Sequence, residues 1–194
     1  MATEAAARSA GATRDRILDA AVLRFARHSY EETGLRDIAA DVGVDVAYVH
    51  RCFGSKERLF TAALRATAQS GRLLGDVAAD PARGLARHVF SRDGVRSSGE
   101  VGPLDILIHS LSSPKAAAVL RAVIVEDFIV PLSRRLDRPA MQEVSMIIAF
   151  LTGLGILRKV MELQPLQEGE GGILEHRIAR AIACILGEGG VEDA

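Results

Sequence analysis

Apolar residues recur at spacings of three and four along nearly the whole chain, as they do on the buried face of an amphipathic helix. The strict alternation of apolar and polar residues that marks a half-buried strand is missing from the sequence. Helices are indicated over about residues 14–28, 35–42, 46–53, 56–74, 81–91, 104–111, 114–136, 139–163 and 173–186. The pattern therefore predicts an all-α protein.

Turn-forming residues separate the second, third and fourth of these helices. Gly43 is expected to end the second helix in the left-handed conformation that glycine tolerates best. Asp45 is an acceptable N-cap for the third helix, and Ser55 is one for the fourth. Two short helices joined by three residues and backed by the helix of residues 14–28 have the outline of a helix-turn-helix.

The later helices carry their own end signals. Ser113 is a candidate N-cap, and Pro131 is expected to kink or end the helix that starts there. The polar stretch of residues 91–103, with its three glycines, is expected to form a mobile loop.

Packing of the helix-turn-helix fixes which side chains of its second helix point outward. With Val49 and Phe53 turned to the core, the outward residues are Val46, Ala47, His50 and Arg51, with Tyr48 at one flank. A helix presented in this way fits the DNA major groove, which is ~12 Å wide. Arg51 is predicted to contact guanine or phosphate, and Arg36 and Lys56 are predicted to lie beside the DNA backbone.

Composition and charge agree with this picture without proving it. The chain is 48% hydrophobic and 25% charged, with 4% aromatic residues and no Trp, which favours a soluble helix bundle. The net charge is −1, but residues 1–72 hold 11 basic and 9 acidic residues, for a net +2. The remaining 13 basic and 16 acidic residues give −3, so the asymmetry slightly favours DNA contact by the N-terminal part.

Several features predict a cytoplasmic protein that has no membrane partner. Cys52 and Cys184 form no metal or redox pair, which fits a reducing compartment. Residues 1–13 lack the regions of a signal peptide and are expected to form a disordered tail. The longest apolar run, residues 144–157, is shorter than the ~20 residues that a membrane-spanning helix needs.

The run ILDAAVLRFARHSYEETGLRDIAADVGVDVAYVHRCFGSKERLFTAAL resembles the N-terminal domain of the tetracycline-repressor (TetR) family of bacterial transcriptional regulators. The likeness covers about residues 14–64 without a gap, through ILDAA…F, RDIAADVGV and FGSKERL. The C-terminal two-thirds is similar to the family more loosely, in SSPKAAAVLRAVIVEDFIVPL and GLGILRKVMELQPL.

The resemblance implies a homodimer that binds operator double-stranded DNA and an unknown small-molecule effector. DNA binding is assigned to residues 14–60, and effector binding and dimerisation are assigned to a helical domain over residues 61–194. Position by position, Arg36, Val46, Ala47, His50 and Arg51 match groove-facing residues of the family, and Tyr48, Cys52 and Lys56 match backbone-facing ones.

The chain departs from the family pattern at three of its DNA-facing positions. The family usually has Ser or Thr in place of Asp45, Tyr in place of His50, and Tyr or His in place of Cys52. We interpret Asp45 as a helix cap and not as a base contact, because an acid at a helix N-terminus also suits the helix dipole. Cys52 is interpreted as an inert thiol, since no second cysteine is nearby.

The effector and dimer sites are predicted in the C-terminal helices. A pocket for a hydrophobic effector is expected among residues 81–163, with His109 as a polar anchor, and its predicted lining is Phe90, Leu107, Ile108, His109, Leu111, Phe128 and Phe150. Ser145, Ala149 and Gly153 form a small-residue stripe that fits either a dimer seam or a close helix contact inside the subunit. The predicted partners of this stripe on the last helix are Ile178, Ile182 and Ile185.

The sequence carries no enzyme signature, and we predict no catalytic residues, no cofactor and no metal site. GxSxG, P-loop, GxGxxG and HExxH motifs are all missing. Asp105 and His109 are one helical turn apart but lack a third ligand, so a solvated or pocket-lining pair is favoured. The predicted function is a transcriptional regulator, a repressor released by its effector. The open alternative is a helical ligand-binding or scaffolding dimer with weak or lost DNA affinity, which the charge of Asp45 favours.

Overall fold

The computed structural model describes residues 2–68, 80–90, 101–136, 141–169 and 171–188, with side chains described from residue 11 onward. Over these ranges the chain forms helices and no β-strand, which confirms the all-α prediction. The α-helices are α1 (Ala2–Phe25), α2 (Leu35–Val42), α3 (Val46–Phe53), α4 (Lys56–Ala68), α5 (Pro81–Phe90), α6 (Pro103–Ser110), α7 (Pro114–Ile124), α8 (Val130–Arg135), α9 (Met141–Gly155) and α10 (Ile173–Ile185). Two π-helical turns, Val125–Ile129 and Ile156–Val160, extend α7 and α9, and a 3₁₀ turn spans Gln164–Leu166.

Helix α1 is longer than its apolar pattern predicts, because it begins at Ala2 and not near Arg14. Six of residues 2–13 are alanine, the residue with the highest helix propensity. The predicted disordered tail is therefore corrected to helix over residues 2–13.

Some predicted boundaries fall outside the described residues. They are the end of the fourth helix near Leu74, the end of the fifth at Ser91, residues 91–100 of the predicted loop, and the start of the eighth helix at Pro139.

The helix that starts at Pro114 continues through Pro131, where a kink or an end was predicted. The π-helical turn Val125–Ile129 lies just before the proline, and Val130 N–H donates to the Val125 carbonyl, one residue farther back than in an α-helix. A π turn shifts the hydrogen-bond ladder and so accommodates the N–H that proline lacks. Helical structure then runs on to Arg135.

The chain forms two compact units. Unit 1 consists of Met1–Ala68 and Val101–Val123, and unit 2 consists of Gln69–Glu100 and Ile124–Ala194. The boundary predicted after residue 60 falls inside α4. Residues 101–123 are part of unit 1, together with the helix-turn-helix.

Aromatic packing holds α1 and α4 together in the core of unit 1. The ring of Phe60 meets Phe25 edge-on at a centroid distance of 4.8 Å and Tyr30 at 5.0 Å. All three side chains are fully buried. Such pairs contribute about 0.5–1.5 kcal/mol each beyond the area that they bury. Helix α1 also contacts α2 and α6, so these rings sit behind the helix-turn-helix.

Two arginines of α1 fasten the helix to α2. Arg16 donates through Nη2 to the Val42 carbonyl at 2.9 Å, which satisfies a backbone acceptor at the end of α2. Arg24 makes a two-pronged ion pair with Asp41, with Nη2 at 2.8 Å from Oδ1 and Nε bonded to Oδ2. Hydrogen bonding to Arg24 lowers the pKa of the Asp41 carboxyl, and the same bond raises the pKa of Arg24.

A buried hydroxyl joins the segment after α1 to the start of α7. Ser113 Oγ donates to Glu31 Oε1 at 2.6 Å and accepts from the Ala116 N–H at 3.2 Å. The second bond confirms Ser113 as the N-cap of α7. The first bond ties residues that are 82 positions apart in sequence.

Unit 2 has a separate apolar core formed by α5, α8, α9 and α10, together with Ile129 of the first π turn. The buried residues of this core are Ala82, Leu85, Ala86, Val89, Phe90, Ile129, Leu132, Leu136, Val144, Ile147, Ile178 and Ile182. Arg158, in the second π turn, is buried beside it with its guanidinium 4.5 Å from the Phe90 ring centroid. Its Nη2 donates to the Glu168 carbonyl at 2.8 Å, and Nη1 bonds the Leu166 carbonyl. Arg158 therefore holds the loop that follows α9.

Replacing Arg24 by Gln tests the ion pair between α1 and α2. The lowered pKa of Asp41 means that the pair stabilises the fold above the ordinary carboxyl pKa and that this stability is lost as pH falls through the lowered value. We expect R24Q to lower the free energy of unfolding by about 0.5 kcal/mol near neutral pH, because the pair is partly exposed. The difference from wild type, measured by urea denaturation, should shrink in acid.

The matched control is Arg27→Gln, which removes an exposed arginine three residues further along. Equal destabilisation by both variants would contradict the special role of Arg24. A loss in R24Q that persists undiminished at low pH would contradict it as well.

Candidate nucleic-acid interface

The turn between α2 and α3 depends on a glycine in the left-handed conformation. Gly43 has φ 74°, as predicted, and its N–H donates to the Ala40 carbonyl at 3.2 Å. Val44 N–H reaches back to the Ala39 carbonyl at 3.0 Å, which satisfies the last acceptors of α2. The chain then reverses within three residues and starts α3.

Asp45 is the N-cap of α3, which confirms its interpretation as a cap. Its Oδ1 accepts from the Ala47 N–H at 2.6 Å. The carboxylate also lies at the positive end of the helix dipole, where a negative charge is stabilised. A backbone donor thus holds this acid at the start of α3.

The outward face of α3 consists of the residues that its apolar pattern predicts. Val49 and Phe53 are buried in unit 1, while Ala47, His50 and Arg51 are exposed and Val46 is partly exposed. Arg51 extends over the Tyr48 ring, with its guanidinium carbon 5.2 Å from the ring centroid. Val46 and Ala47 are small residues in the first turn of α3. They leave room for a partner to approach His50 and Arg51, which follow.

A hollow lies between the starts of α2 and α3. Asp37 Oδ2 accepts from the Gly34 N–H at 2.8 Å, so this carboxylate is held at the start of α2. Arg36 is exposed on the outer side of that helix. The hollow is lined by Gly34, Leu35, Arg36, Asp37, Val46 and His50.

A γ-turn at Gly54 ends α3 and orients His50. Gly54 has φ 81° and ψ −62°, and Ser55 N–H donates across it to the Phe53 carbonyl at 3.0 Å. This rare turn suits glycine, because an L side chain is strained at positive φ. The Gly54 carbonyl accepts from His50 Nδ1 at 3.0 Å. Ser55 Oγ then caps α4 by accepting from the Arg58 N–H at 3.2 Å, as predicted.

Lys56 is placed differently from a free phosphate-binding lysine. Its ammonium nitrogen lies 4.2 Å from the centroid of the buried Tyr30 ring. Burial is the main cause of the lowered pKa of the Lys56 ammonium, with Glu31 and Glu57 opposing it. Lys56 therefore stabilises the start of α4 by about 0.5–1 kcal/mol, whether or not it also contacts DNA.

The residues predicted to line an effector pocket are divided between the two units. Unit 1 contains four of them, Leu107, Ile108, His109 and Leu111. Unit 2 contains the other three, Phe90, Phe128 and Phe150. Phe90 is buried and Phe128 packs half-buried against the same core, whereas Phe150 and Leu111 are exposed. His109 is exposed on α6. Asp105 accepts from the Gly102 N–H at 2.7 Å and so helps to start α6.

The residues predicted for a dimer seam all belong to unit 2 but differ in how exposed they are. Ser145, Ala149 and Gly153 are exposed on α9, as a seam requires. Ile178 and Ile182 are buried in the core of their own unit, at 3% and 0% exposure, which removes them from any seam. Ile185 is partly buried against that same core. The face of α10 that carries Ile178 and Ile182 therefore packs within its own unit.

Sequence reasoning missed the contacts that depend on residues distant in the chain. Arg16, Arg24 and Asp41 were assigned to no contact, yet they join α1 to α2. The bond from His50 to Gly54 was missed too, although a histidine four residues before a glycine at a helix end is a usable signal. In the parts of the chain that the structure describes, His, Cys, Asp and Glu residues form no group that could hold a metal ion. Within the same parts, every helix is too short or too polar to cross a membrane.

Comparisons with known proteins agree with this geometry. The family model for bacterial regulatory proteins of the tetR family matches residues 17–63. The model for the tetracyclin repressor-like C-terminal domain matches residues 80–186. Comparison with curated proteins finds no match.

Solved structures share the fold over most of the chain. A TetR-family regulator from Streptomyces coelicolor A3 is 27% identical, with a TM-score of 0.56 over 90% of this chain and 94% of its own. The multidrug binding protein EbrR, complexed with ethidium, is 20% identical, with a TM-score of 0.62 over 89% and 98%. A putative transcriptional regulator from Saccharomonospora viridis, in complex with choline, is 19% identical, with a TM-score of 0.52 over 91% and 96%.

The two family models together cover both units, and the first of them contains the whole helix-turn-helix. The outward face of α3 provides what such a domain needs to enter a DNA groove. The chain belongs to the TetR family of bacterial regulatory proteins and is a DNA-binding transcriptional regulator.

Proposed function

We propose that the protein is a one-component repressor in the cytoplasm, which binds operator DNA as a homodimer and is released by a small hydrophobic effector. The observation that carries the proposal is the outward face of α3, where Ala47, His50 and Arg51 are exposed beside the partly exposed Val46. The charge of Asp45 favoured a protein without DNA affinity. The bond of its carboxylate to the Ala47 N–H gives this acid a separate role as the N-cap of α3.

Each DNA-facing residue has a role that its position supports. Val46 and Ala47 permit close approach of α3 to the groove and contact thymine methyl groups. Arg51 contacts guanine or phosphate, and its stacking on Tyr48 limits the number of conformations that binding has to restrict. Arg36 contacts the DNA backbone beside the groove, and Lys56 adds positive charge at the start of α4.

The homodimer is proposed to form through α9. Helix α9 and the π turn that extends it carry a row of exposed residues spaced every four positions, namely Met141, Ser145, Ala149, Gly153 and Leu157. Met146 and Phe150, at 50% and 37% exposure, lie beside this row. Ser145 Oγ donates to the Met141 carbonyl at 2.7 Å, so its hydroxyl is satisfied inside the helix and can be buried at low cost. We call this row and its two neighbours the α9 strip. An exposed apolar strip of this kind is typical of a protein–protein interface.

The effector is proposed to bind in unit 2 beside Phe90 and Phe128. Phe128 lies in one π-helical turn, and Arg158, which stacks on Phe90, lies in the other. π-Helical turns occur frequently at functional sites. The same fold holds ethidium in EbrR and choline in the protein from Saccharomonospora viridis, which supports an organic ligand here.

The proposed release from DNA depends on the continuous helix that runs from α7 into the first π turn. The π turn with Phe128 continues backward into α7 without a break, and the N-cap of α7 is Ser113, which is bonded to Glu31 near the helix-turn-helix. We propose that the effector favours a conformation in which the two α3 helices of the dimer no longer match half-sites ~34–36 Å apart.

A gel-shift experiment with DNA from upstream of the protein's own gene tests the proposed function. We expect a specific shift that weakens steeply with salt, because phosphate contacts release counterions. Arg51→Ala should weaken binding by about 1–3 kcal/mol if the arginine contacts a base, or reduce the salt slope by about 1 if it contacts phosphate. Hydrophobic compounds that act as effectors should abolish the shift.

Arg134→Ala is the matched control, because it removes an exposed arginine from unit 2 without touching α3. A folded dimer that shifts no genomic fragment would refute the repressor function and favour the scaffolding alternative.

Ala149→Arg tests the dimer. The substitution places a charge in the middle of the α9 strip, so light scattering should give the mass of one chain where wild type gives that of two. Ala149→Ser keeps the residue small and should remain dimeric. If Ala149→Arg is still a dimer, the interface lies elsewhere.

A further inference from the structure

His50 is held in a defined orientation on the outward face of α3. Its Nδ1 lies 3.0 Å from the Gly54 carbonyl oxygen, four residues later in the chain. The side chain is exposed and also borders the hollow between α2 and α3. Its orientation is therefore set by the end of its own helix.

The Gly54 carbonyl is itself fixed by the turn that contains it. Gly54 N–H donates to the His50 carbonyl at 2.8 Å, so His50 and Gly54 are joined by two hydrogen bonds. The γ-turn holds the next peptide, with Ser55 N–H 3.0 Å from the Phe53 carbonyl oxygen. The Arg58 side chain packs against Gly54, close enough to leave little room for a side chain there. The acceptor for His50 is thus part of rigid backbone.

This bond determines which ring nitrogen carries the proton. A carbonyl oxygen only accepts, so Nδ1 must be the donor and must carry a hydrogen. In the neutral imidazole the other nitrogen, Nε2, is then an acceptor. In the protonated ring Nε2 becomes a donor while the bond to Gly54 persists. Among the described residues, no hydrogen bond involves Nε2.

We propose that His50 is a specificity-determining residue whose Nε2 contacts operator DNA as an acceptor when neutral and as a donor when protonated. This role rests on the proposed function, since it requires α3 to enter the major groove. The neutral ring pairs with the amino group of adenine or cytosine, which are the donors of that groove. The protonated ring pairs with guanine, thymine O4 or a phosphate, and its added charge strengthens binding.

Charged groups lie on every helix that packs against α3. Helix α2 contributes Arg36 and Asp37, and the Asp37 carboxylate is bonded to the Gly34 N–H. Arg51 lies on α3 itself, and Arg58 of α4 packs against Gly54. Helix α1 contributes Arg14, whose guanidinium carbon lies 4.6 Å from the Phe53 ring centroid. Four arginines and Asp37 therefore lie on α3 and the helices that pack against it, and bound DNA adds phosphates to this surface.

The binding of one DNA duplex at two pH values tests the proposal. The probe is a duplex selected by wild-type protein from a random-sequence pool, and affinity is measured at about pH 6 and about pH 8, a range over which a histidine side chain can change its charge. We expect wild type to bind on the order of fivefold more tightly at the lower pH, through one additional charge-assisted contact. His50→Gln keeps a polar side chain but does not titrate, so it should lose this dependence.

His176→Gln is the matched control, because His176 is an exposed histidine on α10 in unit 2. Loss of the pH dependence in H50Q and its retention in H176Q support the role of His50. An equal pH dependence in wild type and H50Q overturns that role while leaving DNA binding intact. If wild type selects no duplex at either pH, the proposed function fails and the role of His50 fails with it.

Selection from the same pool at each pH provides a second readout. Wild type should favour adenine or cytosine at one operator position at about pH 8 and should relax that preference at about pH 6, whereas H50Q should select the same base at both. A base preference that is unchanged by pH in wild type contradicts the proposal.

Nitrogen NMR of the free protein checks the geometry independently of DNA. We expect the neutral His50 ring to carry its proton on Nδ1, as the bond to Gly54 requires. A neutral ring protonated on Nε2 would overturn the proposal.

Discussion

The packing of Phe60 against Phe25 and Tyr30 fixes how α4 sits on α1, and the DNA-binding surface depends on that contact. Helices α2 and α3 have only eight residues each and cannot bury enough apolar area to fold alone. Helix α1 contacts both of them, and α4 contacts α3. Val49 and Phe53 are buried in this core. The opposite face of α3, with Ala47, His50 and Arg51, therefore points to solvent.

Short-range features of this surface were predictable from the sequence. The spacing of Val49 and Phe53 gave the buried face of α3, and Gly43, Asp45 and Ser55 marked the ends of helices, because caps and turns depend on residues within a few positions. Asp45 is likewise a local feature, because its carboxylate accepts from the Ala47 N–H two residues later.

Long-range features were not predictable, because helical periodicity says which face is buried but not against what. Ile178 and Ile182 have the pattern of a seam, yet they pack in their own unit's core. Arg24 with Asp41, and Ser113 with Glu31, are pairs whose partners only folding brings together. Likewise, residues 101–123 fold together with the N-terminal helices in unit 1, although they are distant from them in sequence. The effector site and the dimer seam remain predictions, and the sites that we propose for them are in unit 2 and on the α9 strip.

Capture and sequencing of the DNA bound to the protein in its own cells tests most directly whether α3 recognises an operator. A dimeric repressor should be found at a small number of discrete sites, each with two inverted half-sites centred ~34–36 Å apart, or about one turn of DNA. A variant whose outward α3 residues are replaced by alanine should lose those sites. Bound DNA that is spread evenly over the genome, or that is the same for the variant and wild type, would contradict recognition by α3.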